Sequence, residues 1–148
     1  INEEVKNTMD FYSKFWVGEE WKFIEEILVE TLHYYVFKYY EEHGELFTPF
    51  LNSFDKGFQI QKYKKGEGFY ILHNDFMVED DGFRVLAFIF YLNDVDKGGD
   101  TEFPKGLIIK PKVGTLLLFP ATWTYPHKGN IPVSNDKYII TGWIYGKY

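Results

Sequence analysis

Arg84-Val85-Leu86-Ala87-Phe88-Ile89-Phe90-Tyr91-Leu92, then Asp96-Lys97-Gly98-Gly99, then Thr101-Glu102-Phe103 is the stretch whose reading decides the fold. The first run is aromatic and rich in aliphatic residues, which suits a strand. The second is made of residues that tolerate turn geometry, and the third restarts a short strand. The same alternation of short β-rich runs and turns extends to both sides, through Phe58–Tyr63, Phe69–His73, Leu107–Lys110, Gly114–Phe119 and Lys137–Tyr145. Lys64-Lys65-Gly66-Glu67-Gly68, Glu79-Asp80-Asp81-Gly82 and Asn130-Ile131-Pro132 separate them. Many short strands at this spacing predict a sandwich or barrel from Phe58 onward.

Upstream the period changes. Trp21, Ile24, Leu28, Leu32, Tyr35, Val36 and Tyr39 recur at helical spacing, with Glu25, Glu26, Glu30, Lys38 and Glu42 on the other face. Gly44 supplies the stop expected just past a helix end. A second, shorter helix is expected around Glu3 to Trp16, broken at Gly18. These helices are expected to lie outside the β-sandwich and brace one sheet.

The chain has 148 residues, enough for one domain at roughly 100–200 residues per domain. An aromatic content of 21% promises a core of large buried areas. There is no cysteine, so any metal must be held by nitrogen and oxygen. A net charge of −6, spread along the chain, disfavours a nucleic-acid partner. No apolar stretch reaches the roughly 20 residues of a membrane-spanning helix, and no export signal is visible, so a cytoplasmic location is expected.

Two short segments carry chemistry. In Tyr70-Ile71-Leu72-His73-Asn74-Asp75, an extended backbone turns His73 and Asp75 to one side. Alone the pair is weak evidence of a metal site and reads more readily as a strand-end histidine bonded to its neighbour. His127 adds a third ligand, within Trp123-Thr124-Tyr125-Pro126-His127 and followed by Pro132-Val133 and Lys137. Two histidines and one carboxylate cap one face of an iron(II) ion and leave several positions open, whereas catalytic zinc usually keeps one. Lys137 opens the otherwise apolar strand Lys137-Tyr138-Ile139-Ile140-Thr141-Gly142-Trp143, where a buried charge calls for an anion; the alternative is a lysine snorkelling to water. Alternation puts Trp143 on the Lys137 face. His33 and His43 read as packing and helix-end residues.

His73-x-Asp75, Gly98-Gly99-Asp100-Thr101-Glu102-Phe103, Lys110-Pro111-Lys112-Val113-Gly114-Thr115-Leu116-Leu117-Leu118-Phe119-Pro120, and His127 with Pro132-Val133 and Lys137 together resemble the prolyl 4-hydroxylase-like branch of the 2-oxoglutarate/Fe(II)-dependent oxygenase superfamily. The resemblance spans about Phe58 to Tyr145. It implies a double-stranded β-helix, that is, a jelly roll, over about 58–145, in a single oxygenase domain over 1–148 whose first 44 residues are helical. It makes His73, Asp75 and His127 the iron ligands and Lys137 the partner of the cosubstrate's far carboxylate. Tyr63 and Tyr91 match positions that reach the cosubstrate, or are core tyrosines with bonded hydroxyls, and Thr101 is a further contact. Fe(II), 2-oxoglutarate and dioxygen are implied, with ascorbate as the reductant that keeps iron reduced. The expected reaction is hydroxylation of a C–H bond, since Asp75 fills the position that a halogenating relative frees for halide. The expected substrate is a prolyl residue in a peptide or protein, gripped near Trp123 and Trp143. The alternatives are a free amino acid, a small metabolite or an alkylated base, or a non-catalytic jelly-roll metal-binding module.

Overall fold

The computed structural model describes residues 4–44 and 53–147. Twelve strands among them form two antiparallel sheets: β1 Lys6–Asn7, β2 Met9–Tyr12, β3 Phe54–Asp55, β4 Gln59–Tyr63, β5 Phe69–His73, β6 Val78–Glu79, β7 Gly82–Tyr91, β8 Thr101–Glu102, β9 Ile108–Ile109, β10 Leu116–Pro120, β11 His127–Gly129 and β12 Lys137–Gly146. The smaller sheet runs β1-β5-β11-β8-β9 and the larger β10-β7-β12-β4-β2, with β3 on β12 and β6 on β7. The arrangement is a jelly roll.

Side chains alternate across the larger sheet. Ala87, Ile89 and Tyr91 of β7 and Ile139 of β12 join Tyr63, Phe103 and Phe119 in a core between the sheets. The other face, with Phe58, Leu86, Phe88, Ile140 and Ile144, takes Leu32 and Val36 of the helix α1, Glu19–His43. That helix begins after Gly18, where the sequence places a break, and ends at Gly44. Gly44 holds right-handed helical dihedrals, φ −61° and ψ −28°, so the stop does not use the left-handed turn expected of a glycine there. Two residues of the expected apolar stripe, Ile24 and Tyr35, face outward, at 39% and 48% exposure. The face that meets the sheet has Leu32 and Val36 buried at its centre, with Leu28, Val29, Tyr39 and Tyr40 partly buried around them.

The shorter helix expected around Glu3 to Trp16 does not form. Residues 6–12 are strands β1 and β2, followed by one 3-10 turn at Ser13–Phe15, so one helix stands where two were expected. Helices this short are marginal alone. The open edge of β4 instead pairs with Met9–Tyr12 in register, Met9 opposite Lys62 and Tyr12 opposite Gln59. No helix among the described residues is long and apolar enough to cross a membrane.

Candidate metal centre and its cavity

His73 and His127 are direct partners across the antiparallel pair β5–β11, which sets their rings 4.3 Å apart. Asp75 is not on the strand. β5 ends at His73, and the Asn74 side chain accepts a hydrogen bond from Phe76 N, turning the chain so that the Asp75 carboxylate faces both rings. Its oxygens lie 3.9 Å from His73 Nε2 and 3.6 Å from His127 Nε2. One ligand atom from each of the three residues falls within 4.8 Å of the others.

The ring tautomers follow from their partners. His73 Nδ1 lies 2.8 Å from Ile71 O and His127 Nδ1 3.3 Å from Tyr125 O. A carbonyl only accepts, so each Nδ1 carries a proton, which leaves Nε2, the nitrogen turned toward Asp75, as the atom available to a metal. Burial, and then the neighbouring His127, hold His73 below the usual imidazole range. Neutral imidazoles with a free Nε2 are the form a metal binds, and backbone carbonyls that fix the ring are the usual outer support. The donor set of two nitrogens and one carboxylate on one side fits iron(II).

The triad borders a cavity between the sheets whose far wall is Lys137, 1% exposed. Its ammonium donates to Gly99 O at 2.8 Å and lies 3.8 Å from the Tyr63 ring centre. No carboxylate pairs with it among the described residues, and burial pushes it down to about 7, with Asp100 opposing. A buried ammonium with one neutral acceptor is costly unless an anion joins it, so the cavity suits a carboxylate. Gly98 and Gly99 make this possible. Both have positive φ, and a Cβ on Gly98 would lie 2.3 Å from Ile131 O, so only glycine lets the turn tuck under that segment and aim the Gly99 carbonyl at Lys137.

The model of the 2OG-Fe(II) oxygenase superfamily matches residues 58–145. The chain belongs to this superfamily. Among its relatives in Arabidopsis thaliana, probable prolyl 4-hydroxylase 3 is 29% identical over 126 residues, 63% of this chain and 44% of the relative. Prolyl 4-hydroxylase 2 is 27% identical over 133 residues, 67% of this chain and 44% of the relative. The chain thus spans less than half the length of these relatives. Among solved structures, the viral collagen prolyl hydroxylase of Paramecium Bursaria Chlorella virus-1, in its 2OG complex, aligns at TM-score 0.73 and 22% identity over 96% of this chain and 80% of that one. A Pseudomonas putida prolyl-4-hydroxylase aligns at 0.69 and 19% over 99% and 76%. Both establish the jelly-roll fold. A prolyl hydroxylase from Trichoplax adhaerens in complex with a hypoxia inducible factor peptide aligns at 0.54 and 28% over 64% and 44%. The superfamily implies Fe(II) and 2-oxoglutarate, which the triad and the unpaired Lys137 of this oxygenase-family chain suit.

Of the other residues singled out in the sequence, Tyr63, Thr101 and Trp143 line the same cavity. Tyr91 does not. Its hydroxyl is 2.7 Å from Thr101 Oγ1, so it is a buried support for Thr101, and burial pushes it up to about 12. Trp123 is 65% exposed and stands edge-on to Phe76, 5.4 Å away, beside Asp75 rather than in the cavity. Trp143 Nε1 is buried without an acceptor among the described residues. His33 meets Asp55 at 3.3 Å and His43 lies against Tyr39, both away from the site.

The sequence reading missed Tyr70, Gln61 and Gly129, which also border the cavity. Tyr70 stacks on His73 at 3.5 Å between ring centres. Strict alternation would set them on opposite faces. His127 pairs with His73 and Gly129 with Tyr70, two steps against three, so an extra residue in β5 bulges and returns Tyr70 to the His73 side. For Gln61 a signal existed, the polar alternation Gln59-Ile60-Gln61 within a buried strand.

Proposed function

We propose that this chain is an Fe(II)- and 2-oxoglutarate-dependent dioxygenase that hydroxylates a prolyl residue of a peptide or protein. His73, Asp75 and His127 are its metal ligands and Lys137 its anchor for the far carboxylate of 2-oxoglutarate. The observation that carries the reading is one cavity bordered both by His73, Asp75 and His127 and by a buried ammonium that has no carboxylate partner among the described residues. A metal-only module has no use for the ammonium.

When bound, iron(II) would activate dioxygen, the oxidant, so that decarboxylation of 2-oxoglutarate to succinate is coupled to hydroxylation of a C–H bond. The chain supplies the rest. The Nδ1 bonds to Ile71 O and Tyr125 O hold the two imidazoles with Nε2 toward the metal position. Lys137 neutralises the anion, Thr101 adds a hydroxyl to the cavity lining, and Ile139 and Phe119 add apolar surface to it. Asp75 completes the ligand set, which favours hydroxylation over halogenation. Ascorbate serves to keep the metal reduced, and a reducing cytoplasm suits the same need.

The prolyl assignment rests on the relatives named above and on the apolar surface of Phe76 and Trp123 next to Asp75, with Trp143 Nε1 free to donate to a substrate oxygen. Incubation with proline-rich peptides, scored for succinate release and gain of one oxygen atom, tests it. Both should require iron(II) and 2-oxoglutarate. Turnover only with free amino acids, small metabolites or alkylated bases would displace the prolyl substrate, and metal binding without 2-oxoglutarate turnover would leave a metal-binding module.

A further inference from the structure

Three inward positions of β4 are polar and buried: Gln59, Gln61 and Tyr63, at 5%, 4% and 3% exposure. They form one chain of hydrogen bonds. Tyr63 Oη donates to Gln61 Oε1 at 3.1 Å, Gln61 Nε2 to Gln59 Oε1 at 2.9 Å, and Gln59 Nε2 to Asp10 Oδ2 at 3.0 Å. Asp10 sits on β2, its side chain 6% exposed, and also accepts from Lys6 Nζ and Thr8 Oγ1, each at 2.7 Å. The chain runs from the cavity wall to an ion pair 53 positions earlier in the sequence, and neither the metal nor the anchor assignment uses it.

Its direction is fixed by chemistry. A carboxylate only accepts, so Gln59 must turn its amide nitrogen to Asp10 and its oxygen to Gln61. Gln61 must then turn its own oxygen to Tyr63. The Tyr63 proton is therefore spent on Gln61, and only oxygen lone pairs of Tyr63 face the cavity. The Lys137 ammonium lies over the Tyr63 ring, 3.8 Å from its centre, so an anion that joins it comes up to a tyrosine whose proton points away.

We propose that Asp10, acting through Gln59 and Gln61, is a positioning residue that directs the Tyr63 proton away from the cavity and so weakens its affinity for the carboxylate of 2-oxoglutarate. This rests on the reading of the cavity as a 2-oxoglutarate site. Removing the carboxylate leaves Lys6, a donor, at the end of the chain. Gln59 then turns its oxygen to Lys6, each amide reverses, Gln61 donates to Tyr63, and the Tyr63 proton is free for the ligand. An asparagine at position 10 preserves the original direction, because its oxygen still accepts from Lys6 and Gln59 while its nitrogen turns to the Thr8 hydroxyl.

The test is the dissociation constant of 2-oxoglutarate for manganese-loaded protein, measured without oxygen by calorimetry, with thermal unfolding to verify that each variant is folded. Asp10→Ala should bind about tenfold more tightly, one net hydrogen bond of about 1.4 kcal/mol. Gln59→Leu, which keeps the Lys6–Asp10 pair and cuts the chain, should change affinity in the same direction, and Asp10→Asn should match the parent. Asp10→Ala made in a Tyr63→Phe background should have no effect. The infrared C–O band of Tyr63, isolated as the difference between the parent and Tyr63→Phe in ligand-free protein, should move from donor to acceptor position in Asp10→Ala. Unchanged or weaker binding in both Asp10→Ala and Gln59→Leu, in a parent that binds 2-oxoglutarate, overturns the relay alone. A parent that binds no 2-oxoglutarate overturns the functional reading and the relay with it.

Discussion

Lys137 is unusual for a lysine in having almost no exposed surface, one carbonyl acceptor and an aromatic face, with no carboxylate among the described residues. Burial takes its pKa from 10.5 to about 7 in the ligand-free protein. A bound carboxylate favours the charged form and raises it again. The sign of the coupling follows. Below pH 7 the ammonium is already present and 2-oxoglutarate binds without a proton. Above pH 7 binding must draw one in, so affinity should fall by up to about tenfold per pH unit. Calorimetry at pH 8.5 in buffers of different ionisation heat should register close to one proton taken up, and none at pH 6. In the ligand-free protein the folded pKa lies below the unfolded one, so this group adds stability as pH rises from about 7 toward 10.5. Lys137→Met should weaken 2-oxoglutarate at least about thirtyfold, since losing one partner of a buried charged pair costs about 2 kcal/mol or more. Asp75→Ala acts at the other end of the cavity: it should abolish iron-dependent succinate release, and retained turnover would sink Asp75 as the third ligand.

At the level of elements, the residues that reach the site do so because strand alternation and one bulge aim them. Lys137, Ile139, Thr141 and Trp143 all line the cavity, as a period of two along β12 requires. That much was legible in the sequence, as were the long strands β7 and β12 and the helix between Gly18 and Gly44. Of the short strands, β8 and β9 fall inside the runs expected at Thr101–Phe103 and Leu107–Lys110, but β1, β2, β3, β6 and β11 were not legible. β11 is only His127-Lys128-Gly129, with no hydrophobic pattern, yet it carries one of the proposed ligands, and β2 forms because β4 offers it an edge. The β5 bulge that brings Tyr70 under His73 leaves no mark in composition, and the Asx turn at Asn74 replaced the extended backbone expected to align Asp75. The helix stripe was half legible, since periodicity gives the face of a helix only to within a turn. Leu32, at 0% exposure, sits in the seam between α1 and the larger sheet. Leu32→Ala should cost about 2–5 kcal/mol by the cavity it opens, measured by urea unfolding. Because the seam lies on the face of the sheet away from the cavity, manganese affinity of the folded variant should be unchanged.

Across the whole molecule, the two ends of the site belong to different sheets. The histidines lie on β5 and β11 of the smaller sheet, and Lys137 and Tyr63 on β12 and β4 of the larger. A metal ion alone therefore ties together parts of one sheet and the loop after β5. A ligand that reaches from the metal to Lys137 spans both sheets and resists their separation. Two stages of stabilisation should follow. Manganese should first protect the amides of β5 and β11 from hydrogen exchange, and 2-oxoglutarate should then extend protection to β4 and β12. At about 100 times its dissociation constant, the second ligand adds about 2.7 kcal/mol by mass action, a rise in Tm of about 5–10 °C for a chain of this size. Lys137→Met should keep the first stage and lose the second, whereas Asp75→Ala should lose both. If 2-oxoglutarate raised the Tm of Lys137→Met as much as that of the parent, the far carboxylate would be held elsewhere, and the division of the site between the two sheets would fail with it.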